Sequence, residues 1–328
     1  MDFTNLIDLA SERLGGAVLS ANDEFFAPKE SLISPSQPVW REGEYTARGK
    51  WMDGWETRRR RTPGHDWCIV RLGRPGRIRG VIVDTGFFTG NYPEACSIEG
   101  CDIEDSAEQT LTGDDVEWTT VLDRTALRGD HANAFAVYSA GRTTHIRFNI
   151  FPDGGVARLR IHGDVIPDWS RILRGGGEVD LAAVEHGGRV VGCSDMHYGN
   201  PQQLTMPGQS LGMHDGWETK RRRGTGHEWA VVRLGAPGEI RRIVVDTTHF
   251  KGNAPGTCSL EACDTSGELP GAEAVWQPLL PETPLQPHTV HDFVATVASV
   301  GRVTHVRFNI VPDGGVARLR VYGVTSGE

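Results

Sequence analysis

Long apolar runs are missing from this chain. No window approaches 18 consecutive apolar residues, so no bilayer-spanning helix is expected. The opening Met1-Asp-Phe-Thr-Asn5 has no basic stretch leading into an apolar one, so no secretory leader is expected. None of the six cysteines forms a Cys-x-x-Cys. Cys96/Cys101 and Cys258/Cys263 lie five apart, on opposite faces of a strand, so neither is a natural local bridge. Free thiols in a reducing compartment follow, and with them a cytoplasmic protein. There is no Gly-x-Ser-x-Gly elbow and no glycine-rich phosphate loop. Twelve histidines include no closely spaced pair held in both halves of the chain, because His288-x-x-His291 has no counterpart. The spacing of a dedicated zinc site is absent. No metal ligand is assigned and no cofactor is called for, although a divalent metal is left open. Cations are in deficit, 34 Lys and Arg against 43 Asp and Glu, a net charge of −9. That balance argues against nucleic acid and anionic membranes as partners.

What is present is a repeat. Asp53-Gly-Trp-Glu-Thr-Arg-Arg-Arg-Arg-Thr-Pro-Gly-His65 returns 162 positions later as Asp215-Gly-Trp-Glu-Thr-Lys-Arg-Arg-Arg-Gly-Thr-Gly-His227. Two carboxylates, a tryptophan, four consecutive cations and a histidine match neither a buried strand nor an amphipathic helix. The stretch reads as a loop aimed at something polar. The repeat extends to most of the 328 residues and resets near residue 166, giving domains 1–166 and 167–328. The first copy carries ten extra residues before Asp53, expected to form a longer surface loop.

Short β-branched runs bounded by turn residues follow each motif: 66–72, 78–84 and 96–101, with counterparts at 228–234, 240–246 and 258–263. In 144–150, Ile146, Phe148 and Ile150 alternate with His145, Arg147 and Asn149. In 156–161, Ala157, Leu159 and Ile161 are expected inside, with Arg158 and Arg160 outside. Strands at this spacing, with minor helices near 5–13 and 178–185, predict an all-β chain of two tandem jelly-roll β-sandwich repeats.

Three polar loops repeat most faithfully: the Asp53 loop, 85–93 and 152–155. They are expected to share one end of each domain. In the first, Arg58 to Arg61 offer planar forks suited to a carboxylate. Glu56 and His65, with Glu218 and His227, are candidates for proton transfer. Asp53 and Asp215 either join them or hold the arginines. Asn91/Asn253 and Asn149/Asn309 both donate and accept, which suits amide-like ligands. Asp153/Asp313 reads first as a turn. Trp55/Trp217 and Trp67/Trp229 read as core. Glu99/Glu261, in mid-strand, either pairs with an outward arginine or reaches a ligand.

With these motifs assembled, the chain resembles the allantoicase family. The resemblance rests on Asp53-Gly-Trp-Glu-Thr-Arg-Arg-Arg, Gly64-His65, Asp84-Thr with Phe88-x-Gly-Asn91, Ser97-Ile-Glu-Gly-Cys101, His145-Ile-Arg-Phe-Asn149 and Pro152-Asp-Gly-Gly-Val-Ala-Arg-Leu-Arg160, and on their second copies. It implies jelly-roll repeats resembling galactose-binding domains and hydrolysis of allantoate to ureidoglycolate and urea in purine breakdown. Allantoate carries one carboxylate and two ureido groups on one carbon. On that reading Arg58, Arg59, Arg60, Arg221 and Arg222 hold the carboxylate, and Asn and Glu hold the ureido groups. Glu56 or His65, and Glu218 or His227, handle protons. Asp53, Asp153, Arg158, Asp215, Asp313 and Arg318 complete the substrate set. A homo-oligomer is expected. Gly86-Phe87 becomes Thr248-His249 and Thr89 becomes Lys251, so the two sites are not equivalent. The other reading is a tandem sugar-binding sandwich of the lectin type. Secreted lectins, however, carry a leader, disulfides and aromatic platforms, and none is evident.

Overall fold

The computed structural model describes residues 2–103, 111, 113, 116–138 and 141–325. It divides into two compact units, Met1–Ile166 and Pro167–Glu328, each built on an eight-stranded antiparallel sheet. Each sheet is organised by one 19-residue strand, Asp66–Asp84 in the first unit and Glu228–Asp246 in the second.

That strand serves two layers because it changes neighbours at Gly73-Arg-Pro-Gly76. Its first part pairs with Thr143–Phe151 and Ala17–Ala21, and its second part with Arg158–Val165 and Ala132–Ala136. Register with Thr143–Phe151 jumps from His145↔Arg71 to Thr143↔Gly76, the irregularity that lets the sheet fold over. Ala95–Cys101 and Thr119–Ala126 extend the first layer, and Ile7–Asp8 borders the second. Cys68, Val70, Ile98, Ile146, Phe148 and Ile150 from one layer meet Val81, Val83, Leu159 and Ile161 from the other in a single core. The second unit repeats this with Ala230, Val232, Leu260, Val306, Phe308, Ile310, Ile243, Val245, Leu319 and Val321. The fold is thus all-β, a jelly-roll sandwich in each unit. Trp55 and Trp217 are fully buried in the two cores, each indole donating to a backbone carbonyl at 2.8 Å.

Parity also places the cysteines. Cys96 points into the main core and Cys101 joins a smaller cluster with Ile69 and Leu111 on the outer face. All six thiols are unpaired, and burial pushes those of Cys96 and Cys258 up to about 12.

Several expectations need correction. Of the minor helices expected near 5–13 and 178–185, only three-residue 3-10 turns form. Short strands, Ile7–Asp8 and Val179–Asp180, occupy those segments with 3-10 turns at Phe3–Asn5, Glu12–Leu14 and Val184–His186. Asp8 Oδ1 accepts from the Ala10 and Ile161 backbone N–H groups, tying the first segment to the sheet before a helix can form. Among the described residues the one α-helix is Trp169–Leu173, capped by Asp168. Arg158 does not face solvent; it is 2% exposed. Trp67 and Trp229 are only half-buried, on the outer face rather than in the main core. Among the described residues no helix is long and apolar enough to cross a membrane.

Candidate functional site

The three polar loops meet at one end of each unit, joined by backbone hydrogen bonds. Glu56 pairs with Gly155 and Trp55 with Val156 in a two-stranded ribbon. Thr57 N–H donates to Gly154 O, and Gly155 N–H donates to Asn91 O. Glycine is required here, because a Cβ on Gly155 would come within 2.0 Å of the Phe88 ring. The second unit reproduces each contact through Thr219, Gly314, Gly315 and Asn253.

Half of the cations in the arginine loop are spent on holding it. Arg58 Nε donates to Asp23 Oδ2 at 2.6 Å, and Arg60 pairs with buried Asp66. Asp153 Oδ2 accepts the Arg60 backbone N–H at 2.9 Å. In the second unit Lys220 pairs with Asp195 and Arg222 with buried Glu228, while Asp313 accepts the Arg222 N–H at 2.8 Å. Arg58, Arg60 and Arg222 are therefore committed to internal carboxylates. Arg59 and Arg221 are exposed and have no ion pair among the described residues. Asp23, Asp66, Asp195 and Glu228 were absent from the sequence candidates. The acidic residue directly after His65 and after His227 was the available signal for Asp66 and Glu228.

Arg158 and Arg318 do not reach solvent either. Arg158 donates to Asp53 Oδ2 at 2.8 Å, to Asp53 O and to Ser36 O. Arg318 donates to Asp215 Oδ2 at 2.9 Å and to Asp215 O. These pairs clamp the loop entering the motif. Asp53, Asp215, Arg158 and Arg318 are thus engaged with one another inside the fold.

Two groups of candidate residues remain, and no hydrogen bond joins them among the described residues. On the outer sheet face, Glu99 Oε2 accepts from Arg147 Nε at 2.8 Å and from Asn149 Nδ2 at 3.0 Å. Burial works to raise the Glu99 carboxyl, but the Arg147 and Asn149 hydrogen bonds outweigh it and hold it below its ordinary range. His65 Nε2 lies 3.3 Å from Asn149 Oδ1, and its ring packs on Phe151 at 4.7 Å. Glu261, Arg307 and Asn309 form the same ladder. There, however, His227 is exposed and the buried Asn309 Oδ1 has no partner among the described residues.

At the loop end, Asn91 Nδ2 donates to Glu56 Oε1 at 2.7 Å, and Asn253 Nδ2 to Glu218 Oε1 at 2.6 Å. Glu56 is half-buried without a cation among the described residues, so burial pushes its carboxyl above the ordinary range, against a smaller opposing effect of the Asn91 hydrogen bond. A carboxyl fixed by one amide and free of a cation among the described residues is suited to giving and taking protons. Among the described residues no group of three or more His, Cys, Asp or Glu is placed to hold a metal ion.

Comparison with known proteins agrees on one family. The family model of the allantoicase repeat matches residues 7–166 and again 179–326. A protein of Burkholderia pseudomallei named probable allantoicase 2 is 49% identical over 321 residues, covering 97% of this chain and 94% of its own. A probable allantoicase of Pseudomonas aeruginosa is 46% identical, covering 98% and 96%. Of the solved structures, one described as allantoicase aligns with a TM-score of 0.81 at 36% identity, covering 98% of this chain and 94% of the other. The allantoicase of Saccharomyces cerevisiae aligns with a TM-score of 0.80 at 35% identity, covering 98% and 96%.

Proposed function

The chain belongs to the allantoicase family and is an allantoate amidinohydrolase, splitting allantoate into ureidoglycolate and urea; we propose that this chemistry runs at the loop end of the repeats, around Glu56 and Asn91 and around Glu218 and Asn253. The family relationship sets aside the sugar-binding reading. The observation that carries the site assignment is the half-buried carboxyl at Glu56, bound to one amide, without a cation among the described residues, and met again as Glu218–Asn253.

The reaction needs a proton moved from water to the departing nitrogen. Water adds its hydroxyl to the central carbon, the carbon–nitrogen bond breaks, and urea leaves with the extra proton. A carboxyl can take the proton from water and return it to that nitrogen. Asn91 uses one N–H on Glu56 and leaves its Oδ1 to accept from a ureido N–H. Arg59 and Arg221, free of internal carboxylates among the described residues, hold the substrate carboxylate. Glu99 and Glu261 stay with their arginines and support the fold. Six free thiols, five of them buried, fit the reducing cytoplasm as its compartment.

The test is urea release from allantoate by the wild type, Glu56→Gln, Glu218→Gln and the double variant. Loss of turnover in the double variant, with an unfolding midpoint no lower than that of the wild type, is expected. Full turnover in a folded double variant would place the chemistry elsewhere.

A further inference from the structure

The second repeat carries, at the same loop end, a histidine that the first repeat lacks. His249 takes the place of Phe87, and both adopt a left-handed backbone, φ +76° and +69°. Non-glycine residues in that region cost conformational energy and persist where surroundings over-determine them, often at functional sites. At His249 two hydrogen bonds accompany the conformation. Its backbone N–H donates to His288 Nδ1 at 2.9 Å, and its ring Nε2 lies 2.9 Å from Ser210 O.

A carbonyl only accepts, so Ser210 fixes the proton on Nε2 and leaves Nδ1 turned to other work. Ser210 also ties the ring to the turn that meets the partner of the proposed carboxyl. It begins a tight turn to Asp215, closed by Ser210 Oγ on Asp215 O and by Leu211 N–H on Asp215 Oδ2. Met213 in that turn touches Asn253 Nδ2 through its sulfur at 3.8 Å, and Asn253 holds Glu218. His249 and Asn253 lie four positions apart on one loop. One six-residue turn thus contacts both the imidazole and the amide that carries the carboxylate.

We propose that His249 is a catalytic residue of the second repeat, protonating the departing nitrogen while Glu218 takes the proton from water. This assignment rests on the loop-end reading above. With imidazolium present, Nε2–H stays on Ser210 O and Nδ1–H faces the substrate. Glu218 removes a proton from water, and the hydroxyl oxygen bonds to the central carbon. The carbon–nitrogen bond breaks with its electron pair going to nitrogen, Nδ1 gives that nitrogen its proton, and urea leaves. A proton then passes from Glu218 to His249 through solvent, restoring the pair. In the first repeat Phe87 offers no proton, and Glu56 must serve both steps.

The experiment uses full-length protein in a Glu56→Gln background, where turnover comes from the second repeat. His249→Ala should lower kcat about 100-fold with little change in KM. Added imidazole should restore part of that rate, whereas His249→Phe, which fills the space, should stay slow with imidazole. Unfolding midpoints serve as the control for the turn. Full kcat in His249→Ala overturns the proposal, as does a loss that imidazole does not restore. A Glu56→Gln enzyme without turnover places the reaction in the first repeat and overturns it too. A Glu56→Gln/Glu218→Gln protein that keeps its activity sinks the loop-end reading itself. If that double variant is dead while His249→Ala is fully active, the role of His249 alone is wrong.

Discussion

The two repeats close the same loop end with different materials. In both, a backbone N–H reaches back to the clamped aspartate, Val39 to Asp53 and Leu211 to Asp215. The second repeat spans that distance in four steps and the first in fourteen, which locates the ten-residue insertion. The insertion brings Trp40 against Phe87, ring centroids 5.9 Å apart, and sets Lys50 4.0 Å over Trp40. Without it, Ser210 lies where its carbonyl meets His249. Corresponding strands and the same Glu–Asn pair thus carry an aromatic, cationic rim in one repeat and a histidine rim in the other. The repeats share their scaffold and differ in the rim.

The largest break in that comparison comes from the shared pair. Glu56→Gln and Glu218→Gln together should cost about 100- to 10,000-fold in urea release, the range for losing a proton-transfer group. The single variants apportion turnover between the repeats. If each alone keeps about half the rate, the rims are equivalent in catalysis and the histidine adds nothing.

How far this was legible in sequence depends on what covers each residue. The 162-residue offset and the period-2 alternation at 144–150 and 156–161 gave the strands and their inner faces, because a strand's own pattern reports its core side. Arg158 was misplaced by the same rule. It does point away from Leu159 and the main core, but residues 36–37 and Asp53 lie over it, and cover by a distant segment leaves no trace in strand periodicity. The arginine run looked uniformly available. Asp23, 35 positions before Arg58, removes one guanidinium, and Asp66 another. His65 and Glu56 looked like partners across nine residues. The chain between them wraps the 152–155 loop and delivers them to separate groups.

The clamps should differ in cost. Arg318 and Asp215 are 2% and 1% exposed at their side chains, whereas Asp53 opposite Arg158 is 16% exposed. Removing one partner of a fully buried pair leaves an uncompensated charge at about 3–5 kcal/mol. Arg318→Met should approach that, and Arg158→Met should cost less because water can reach Asp53. Urea denaturation of each variant measures both, and equal losses would show that the two clamps are energetically alike.

Arg59→Ala and Arg221→Ala probe the rims from the substrate's side. Each should raise KM for allantoate about tenfold in its own repeat, as one charged hydrogen bond is lost, with kcat nearly unchanged. Arg58→Ala should leave KM alone, since its guanidinium already serves Asp23. A pH series adds a sign. Burial raises the folded-state pKa of Glu56, so its protonated form favours the fold. That stability is fully present below the unfolded carboxyl pKa, about 4.3, and is lost as pH rises through the higher folded value. Glu56→Gln mimics the protonated form, so it should raise the unfolding midpoint at pH 7 more than at pH 4.

The smallest effect separates the two motif histidines. His65 meets the buried Asn149 Oδ1 and packs on Phe151, whereas His227 is exposed and its counterpart acceptor, Asn309 Oδ1, stands without a partner among the described residues. Truncating His65 strands an acceptor that the fold now satisfies, which costs about 1–3 kcal/mol, toward the low end because the 3.3 Å contact is long. Truncating His227 removes nothing that the fold uses. His65→Ala should therefore lower the unfolding midpoint measurably while His227→Ala leaves it in place, and neither should change kcat by more than about twofold, far below the loss of a proton-transfer group. Thermal unfolding and urea release on the same preparations decide it. A His227 variant that loses turnover while its midpoint holds would return that histidine to the reaction. It would also shift the difference between the repeats from the rim to the sheet face.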